Sequence, residues 1–329
     1  MKSVDRSIRY RNFMSELTVG SRPLLLDGPI STELDSRGVT MSSGRSRRSP
    51  IDEPEALIQL HADYINAGAR IVTTHTFGAG RAAMAEEFDL LIEGAVNCAL
   101  EARRRTNTED TVLIAGSLAY HTAKGPGKYD PEEDPIVWEG EMNHLVHLLE
   151  KNGIDVLILE MVGGPTFTRP LLRAAQASGK PYWVGFSAFD NSDGRGVCVY
   201  DNEATSLDVA LPGLIRSAME GENGEYKCEG DSGADVIGAM HCKPVVIEHV
   251  LRAIQDNGWS GPLMAYPDDV RGWNPDTLKG SHGDDPVDVF CDYSMKWGRD
   301  FPECSLLGAC CGFSVKHISA LNERLMSLE

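Results

Sequence analysis

Short apolar runs alternate with longer amphipathic stretches along the whole chain. The runs are Leu24–Asp27, Ala69–Thr74, Val112–Gly116, Val156–Glu160, Tyr182–Phe186, Val236–Met240, Leu263–Tyr266 and Leu306–Ala309. Several are apolar at consecutive positions, the pattern of strands covered on both faces. Between them lie helical patterns. Pro54–Ala67 carries Ala56, Leu57, Leu60, Tyr64 and Ile65 on one face, a helical spacing. Gly80–Arg105 holds one or two helices. Asp134–Asn152 ends at Gly153, a C-cap signal, and Thr168–Ser178 ends before Gly179-Lys180-Pro181. Leu207–Met219, Pro244–Asn257, Pro286–Trp297 and Val315–Ser327 complete the series. Eight strands alternating with helices predict an α/β fold, a (β/α)8 TIM barrel; a doubly wound open sheet is the alternative. The 329 residues favour the barrel, for which about 250 residues plus insertions is usual. The expectation is one barrel domain over residues 1–329, with 1–20 as an N-terminal extension.

Four stretches read as insertions. Thr40–Ser49 is basic and serine-rich, a flexible loop after strand one. Asp190–Asn202 is a glycine- and aspartate-bearing loop after strand five. Glu220–Ser232 is an acidic excursion before strand six, and Pro267–Asp285 is a long loop after strand seven. Loops that follow strands form the active face of a barrel, so three of these four can shape a site.

The 31 basic against 49 acidic residues leave a net charge of −18. That surplus argues against nucleic acid and against anionic membrane as partners. No run is long and apolar enough to span a bilayer. The first residues carry charge with no apolar segment behind them, unlike a signal peptide. The 8 cysteines show no regular spacing, so a disulfide framework is not expected and a cytoplasmic location is. Cys98, Cys198, Cys228, Cys291 and Cys304 read as small buried hydrophobes.

Polar residues collect where the runs end. Asp27 closes the first, Thr74-His75-Thr76 follows the second, Glu160 closes the fourth and His241-Cys242 follows the sixth. Tyr266-Pro267-Asp268-Asp269 ends the seventh, and Cys310-Cys311 follows the eighth. In a barrel these are the catalytic positions. Neighbouring cysteines make a strained disulfide, so the Cys310–Cys311 pair points to a soft metal ion. With Cys242 added, three thiolates suit zinc with one position open. His75 and His241 read as hydrogen-bonded wall residues. In a regular strand His241 points away from the face of Cys242, which weighs against it as a co-ligand.

Seven pieces then resemble one family. They are Leu-Asp-Gly-Pro-Ile-Ser-Thr-Glu-Leu (26–34), Ala-Gly-Ala-Arg-Ile-Val-Thr-Thr-His-Thr-Phe (67–77), Ala-Gly-Ser-Leu (115–118), Leu-Ile-Leu-Glu (157–160), Met-His-Cys (240–242), Ala-Tyr-Pro-Asp (265–268) and Leu-Gly-Ala-Cys-Cys-Gly (307–312). In this order the chain resembles the homocysteine S-methyltransferase family, zinc-dependent (β/α)8 barrels. The resemblance implies a zinc cofactor held by Cys242, Cys310 and Cys311. It implies homocysteine held through Asp27 and Glu160, with Gly28 and Thr76 also on the substrate. Carboxylates suit the ammonium end of such a substrate, and a metal-bound thiol loses its proton, so no general base is required.

The implied reaction moves a methyl group from a cationic donor to homocysteine, giving methionine. A sulfonium (S-methylmethionine or S-adenosylmethionine) is favoured, and a betaine-type donor remains open. Methylfolate is disfavoured, because that machinery belongs to longer chains. Three positions depart from the family pattern: His75, His241 and Asp268 stand where amides are usual. Extra negative charge at Asp268-Asp269 would favour a cationic donor. The alternatives are a thiol-binding barrel without catalysis, a sensor or scavenger, and a methyltransferase for another thiol. A metal-dependent hydrolase is disfavoured by thiolate ligands.

Overall fold

A computed structural model of the chain describes residues 6–39, 45–77, 86–119, 135–191, 196–199, 202–219, 233–268 and 286–327. The strands are β1 (Leu24–Leu26), β2 (Ala69–Thr73), β3 (Leu113–Ala119), β4 (Val156–Val162), β5 (Tyr182–Phe186), β6 (Ala188–Asn191), β7 (Gly196–Val199), β8 (Asn202–Ser206), β9 (Val236–Met240), β10 (Leu263–Tyr266) and β11 (Cys304–Leu307). Eight of them close into a parallel barrel in the order β1-β11-β10-β9-β5-β4-β3-β2. β3, β4, β5 and β9 are buried at every position, which is why their sequences are apolar without alternation. Helices follow the strands and pack outside them, as the (β/α)8 reading requires. No helix among the described residues is long and apolar enough to cross a membrane.

The last barrel strand begins earlier than its apolar run suggests. It spans Cys304–Leu307, so Gly308 and Ala309 lie beyond it. A Cβ at Gly308 would stand 2.7 Å from Leu26 Cβ, so only glycine lets these strand ends approach. Gly238, inside β9, is tighter still: a Cβ there would stand 1.9 Å from the Met264 carbonyl oxygen of β10. Gly238→Ala is therefore expected to force the two backbones apart and to cost several kcal/mol, about 3 or more. Urea denaturation checks this, and a midpoint matching wild type would refute it.

Two expected loops are ordered structure. Within Asp190–Asn202 lie the end of β6, β7 and the start of β8, the strands of a three-stranded antiparallel sheet. Gly196-Val197-Cys198-Val199 has the β-branched content of a strand, which the glycine and aspartates around it obscure in the sequence. Part of Thr40–Ser49 falls in the helix Arg45–Asp52. Arg48 pairs there with Asp52 at i,i+4, a helical spacing, and Ser49 is buried. Residues 40–44, Glu220–Ser232 and Asp269–Asp285 lie outside the described residues.

The expected N-terminal extension contains the helix Arg6–Glu16. Arg9 Nη1 donates to Asp155 Oδ1 at 2.5 Å, and Tyr10 donates to Asp235 Oδ2 at 2.6 Å. Trp183 Nε1 donates to the Tyr10 hydroxyl at 3.0 Å, and Phe13 packs on the Trp183 ring. Asp155 and Asp235 directly precede β4 and β9, so this helix seats against the N-terminal end of the barrel. Asp155 also accepts from Arg103 Nη1 at 2.6 Å and from the Ile114 amide at 2.9 Å. A buried carboxylate needs such partners.

Candidate active site

The opposite end of the barrel is tied together by main-chain bonds that run past the strands. The Ala309 amide donates to the Asp27 carbonyl at 3.2 Å and Cys310 to Pro267 at 2.7 Å. Asp268 donates to the Cys242 carbonyl at 3.1 Å and His241 to Tyr266 at 3.0 Å. These bonds set the chemistry-bearing side chains on one mouth.

One side of that mouth is acidic. Asp27 is buried; its Oδ2 accepts the Thr73 amide at 2.8 Å and the Thr73 hydroxyl at 3.1 Å. Burial raises the Asp27 pKa well above the usual carboxylate range, the Thr73 bonds oppose that, and the charge of Glu160 adds to it. Glu160 lies in β4 and accepts from the Ser117 hydroxyl. Burial pushes it to about 7, against the pull of the Ser117 and Tyr266 hydroxyls; the charge of Cys311 raises it further and that of His241 lowers it. Two carboxylates held out of water are primed for a cationic partner.

The other side is sulfur. Cys310 and Cys311 are partly exposed, their sulfurs 3.9 Å apart. The Cys310 thiol donates to Cys311. That bond lowers the Cys311 pKa despite burial, helped by His241, while the Cys310 pKa is raised. Thiolate character therefore resides on Cys311.

The third residue brought to the pair is His241. Its Nδ1 lies 3.4 Å from Cys310 Sγ and its Nε2 lies 3.8 Å from Asp268 Oδ2. Burial lowers the His241 pKa, but the bond to Cys311 and the charges of Cys311, Asp268 and Glu160 outweigh it and raise the pKa overall. Cys242 does not join the pair in this structure. It is buried; its sulfur accepts the Ala188 amide at 3.1 Å and its thiol donates to the Met240 carbonyl at 2.9 Å. The sequence reading set Cys242 with the pair and His241 on the other face, whereas here His241 lies by the pair. The reason is local: His241 has φ +47°, so strand alternation fails there. Met161, just after Glu160, has φ +55°. Two non-glycine residues in left-handed backbone at one mouth store about 1–3 kcal/mol each, a mark of functional sites.

The remaining expected residues have other occupations. The Thr76 hydroxyl donates to the Ser117 carbonyl at 2.7 Å and meets the Thr74 hydroxyl at 2.8 Å, so it is spent on the barrel wall. Gly28 makes room for Tyr64, whose hydroxyl would stand 2.8 Å from a Cβ there. His75 is partly buried near His61, and burial first, then His75, drives His61 down to about 3. Among aromatics of the kind that can hold a cation, Tyr266 faces Glu160, whereas Trp297 is fully buried beside Tyr293. Tyr120 and Trp273 lie outside the described residues. Thr73 and Ser117, which hold the two carboxylates, had no distinguishing signal beyond lying in strand motifs.

The donor set fits zinc. One ligand atom each from His241, Cys310 and Cys311 lies within 4.8 Å of the others. For tetrahedral zinc with Zn–S about 2.3 Å and Zn–N about 2.0 Å, the S–S and N–S edges are about 3.8 Å and about 3.5 Å. The distances of 3.9 and 3.4 Å match those edges.

Comparison with known proteins bears on this site. Residues 24–325 match the family model described as homocysteine S-methyltransferase. The chain is 25% identical to homocysteine S-methyltransferase YbgG of Bacillus subtilis, over 93% of this chain and 95% of that one. It is 23% identical to betaine–homocysteine S-methyltransferase 1 of Bos taurus, over 98% of this chain and 76% of the relative. Among solved structures, the metallated form of the homocysteine methyltransferase MmuM from Escherichia coli superposes with a TM-score of 0.67. That match has 22% identity and covers 92% of this chain and 96% of the other, a likeness of fold.

Proposed function

This chain belongs to the homocysteine S-methyltransferase family, and from that premise we propose that it transfers a methyl group from a sulfonium donor to homocysteine at a zinc-bearing mouth. S-methylmethionine and S-adenosylmethionine are the favoured donors. The observation that carries the reading is two carboxylates and two thiols in electrostatic reach of one another at one barrel mouth. A thiol amino acid presents an ammonium and a sulfur, and the mouth offers an acceptor for each.

When bound, zinc would supply a Lewis acid that holds the substrate sulfur as thiolate at neutral pH. Cys310 and Cys311 would hold it. The rest is the work of the chain. Glu160 and Asp27 accept charge-assisted hydrogen bonds from the ammonium, and its arrival draws the raised Glu160 pKa back down. Ser117 and Thr73 fix the two carboxylates in place. The buried floor of β3, β4 and β9 excludes water from the sulfur, which keeps it reactive, and the strand ends set its line of attack on the methyl carbon. The methyl–sulfur bond of the donor breaks as the new one forms, and the donor leaves as a neutral thioether. No proton has to move in that step.

Asp268 adds a carboxylate to the same mouth, which supports a cationic donor over a zwitterionic one. With homocysteine saturating, kcat/KM for S-methylmethionine or S-adenosylmethionine is expected to exceed that for betaine by about 100-fold or more. Methionine release, followed by chromatography, checks this. A preference for betaine would overturn the donor assignment. Binding of homocysteine without turnover of any of the three donors would favour a thiol-binding role instead.

A further inference from the structure

The turn that carries Cys310 and Cys311 is held differently on its two sides. On the strand side the Ala309 amide donates to the Asp27 carbonyl at 3.2 Å and the Cys310 amide to the Pro267 carbonyl at 2.7 Å. On the helix side the Phe313 amide closes the turn on the Cys310 carbonyl at a longer 3.4 Å, with Gly312 at φ +83°. Ser314 then caps the helix Val315–Met326. We propose that His317, in the first turn of that helix, is a positioning residue for methyl transfer. By accepting the Ser314 amide it clamps the helix side of the turn and so fixes the two sulfurs relative to Asp27 and Glu160. The proposal rests on the reading that Cys310 and Cys311 hold the metal, and it adds no ligand to that metal.

Three observations carry it. First, the cap is reciprocal. The Ser314 amide donates to His317 Nδ1 at 3.1 Å, the Ser314 hydroxyl meets the same nitrogen at 3.0 Å, and the His317 amide donates to the Ser314 carbonyl at 3.0 Å. An amide can only donate, so Nδ1 accepts with its lone pair and the neutral ring carries its proton on Nε2. Second, the ring is locked. His317 is buried and packs edge-on against Phe313 at 5.0 Å and Phe290 at 5.6 Å between centroids. Capping boxes usually place Glu or Gln at this position. A glutamate between two phenyl rings would bury a charge, whereas a neutral imidazole supplies the acceptor together with an aromatic body. Third, the ring ties the turn to its surroundings. Phe313 belongs to the turn itself, and Phe290, 4.8 Å from it, belongs to the helix Pro286–Asp300.

Releasing the Ser314 amide would leave the helix side of the turn to the long Phe313 bond and to Gly312, the residue type with the widest backbone range. The two sulfurs would then shift against the carboxylates on the other side of the mouth. A misplacement of about 1 Å at a reacting centre costs about 100-fold in rate, so even a partial loosening is expected to register.

Two variants separate the acceptor from the ring. His317→Phe keeps the aromatic packing and removes the acceptor; His317→Gln restores an acceptor of the usual capping-box kind. Well below the melting temperature, His317→Phe is expected to bind zinc about tenfold more weakly against a chromophoric chelator and to lower kcat per bound zinc by about tenfold. KM for homocysteine should stay within about twofold, because Asp27 and Glu160 are untouched. The visible bands of the cobalt-loaded variant should shift. His317→Gln should return affinity, kcat and cobalt spectrum to within about threefold of wild type. A His317→Phe protein that melts lower yet keeps wild-type affinity, kcat and spectrum would make His317 a helix cap alone and overturn the proposal. So would a His317→Gln protein as impaired as His317→Phe. The wild type supplies a check that needs no variant. Coupling between binding and capping is reciprocal, so a cap that tightens zinc about tenfold is itself closed about tenfold more firmly by zinc. Hydrogen exchange at the Ser314 amide is expected to slow by that factor on zinc loading, with the Leu325 amide, at the far end of the helix, within about twofold. Equal Ser314 exchange with and without zinc would overturn the proposal even where His317→Phe failed to fold. A wild type that takes up neither zinc nor cobalt would instead overturn the zinc reading, and this proposal with it.

Discussion

Cys311→Ser is expected to leave the fold intact, to strip the protein of bound zinc, and to lower methionine formation by about 1,000-fold or more. The two thiols of the pair are unequal. The Cys310 thiol and His241 pull the Cys311 pKa down, which favours its thiolate and gives a metal its first anchor. A serine hydroxyl does not ionise at neutral pH. The change removes the largest cause of the raised Cys310 pKa, the Cys311 contact, but leaves the mouth one thiolate short. Losing the anionic ligand costs metal affinity directly, and a loss of about 4 kcal/mol of transition-state stabilisation is about a thousandfold in rate. The side chain is partly exposed and its volume scarcely changes, so thermal stability should move little. Zinc per chain, the melting curve and methionine release are measured together. Stoichiometric zinc retained with full activity would refute the assignment of Cys311 to the metal.

Glu160→Gln is expected to do two opposite things: weaken homocysteine binding and stabilise the free protein. A neutral amide cannot balance the substrate ammonium, and breaking one partner of a buried charged pair costs about 2–5 kcal/mol, so KM for homocysteine should rise by about 100-fold or more. Stability follows from the raised pKa. The unfolded carboxyl titrates near its ordinary value of 4.5 and the folded one at about 7, so between these values the native state holds the extra proton. Wild-type stability therefore falls as pH climbs through this window, and above it the full penalty remains. The penalty is at most about 3 kcal/mol, from 1.36 kcal/mol per pKa unit. Glutamine removes it while keeping an acceptor for Ser117. The variant should match wild type near pH 4 and melt higher at pH 8. Equal melting temperatures at pH 8, or an unchanged KM, would refute the assignment.

Much of this site is legible in the amino-acid sequence. Consecutive apolar positions mark the buried strands of the barrel, and the residues closing them, Asp27, Glu160 and Cys310-Cys311, fall at one end because parallel strands share a direction. What stays hidden depends on single dihedrals and on distant contacts. Alternation along β9 puts Cys242 with the pair, and a left-handed His241 reverses that. The extent of β11 is set by main-chain bonds from Gly308 to Ala265 and from Ala309 to Asp27, which a hydropathy pattern does not contain. Ser117 and Thr73 look like ordinary strand residues until their hydroxyls are seen on buried carboxylates. The strands within Asp190–Asn202 are masked by punctuation that makes hairpins as readily as loops.

The helix Arg6–Glu16 carries a consequence for how the protein is made. It is synthesised well before its partners, for Arg9 meets Asp155 across 146 residues and Tyr10 meets Asp235 across 225. At about 5–20 residues per second, translation takes on the order of 10–45 s to deliver the second partner. Through that interval Tyr10, Phe13 and Leu17, all buried in the finished barrel, have no native surface to cover them. The nascent chain thus offers the uncovered apolar face of this helix to chaperones, and closure of the barrel floor awaits the emergence of Asp235.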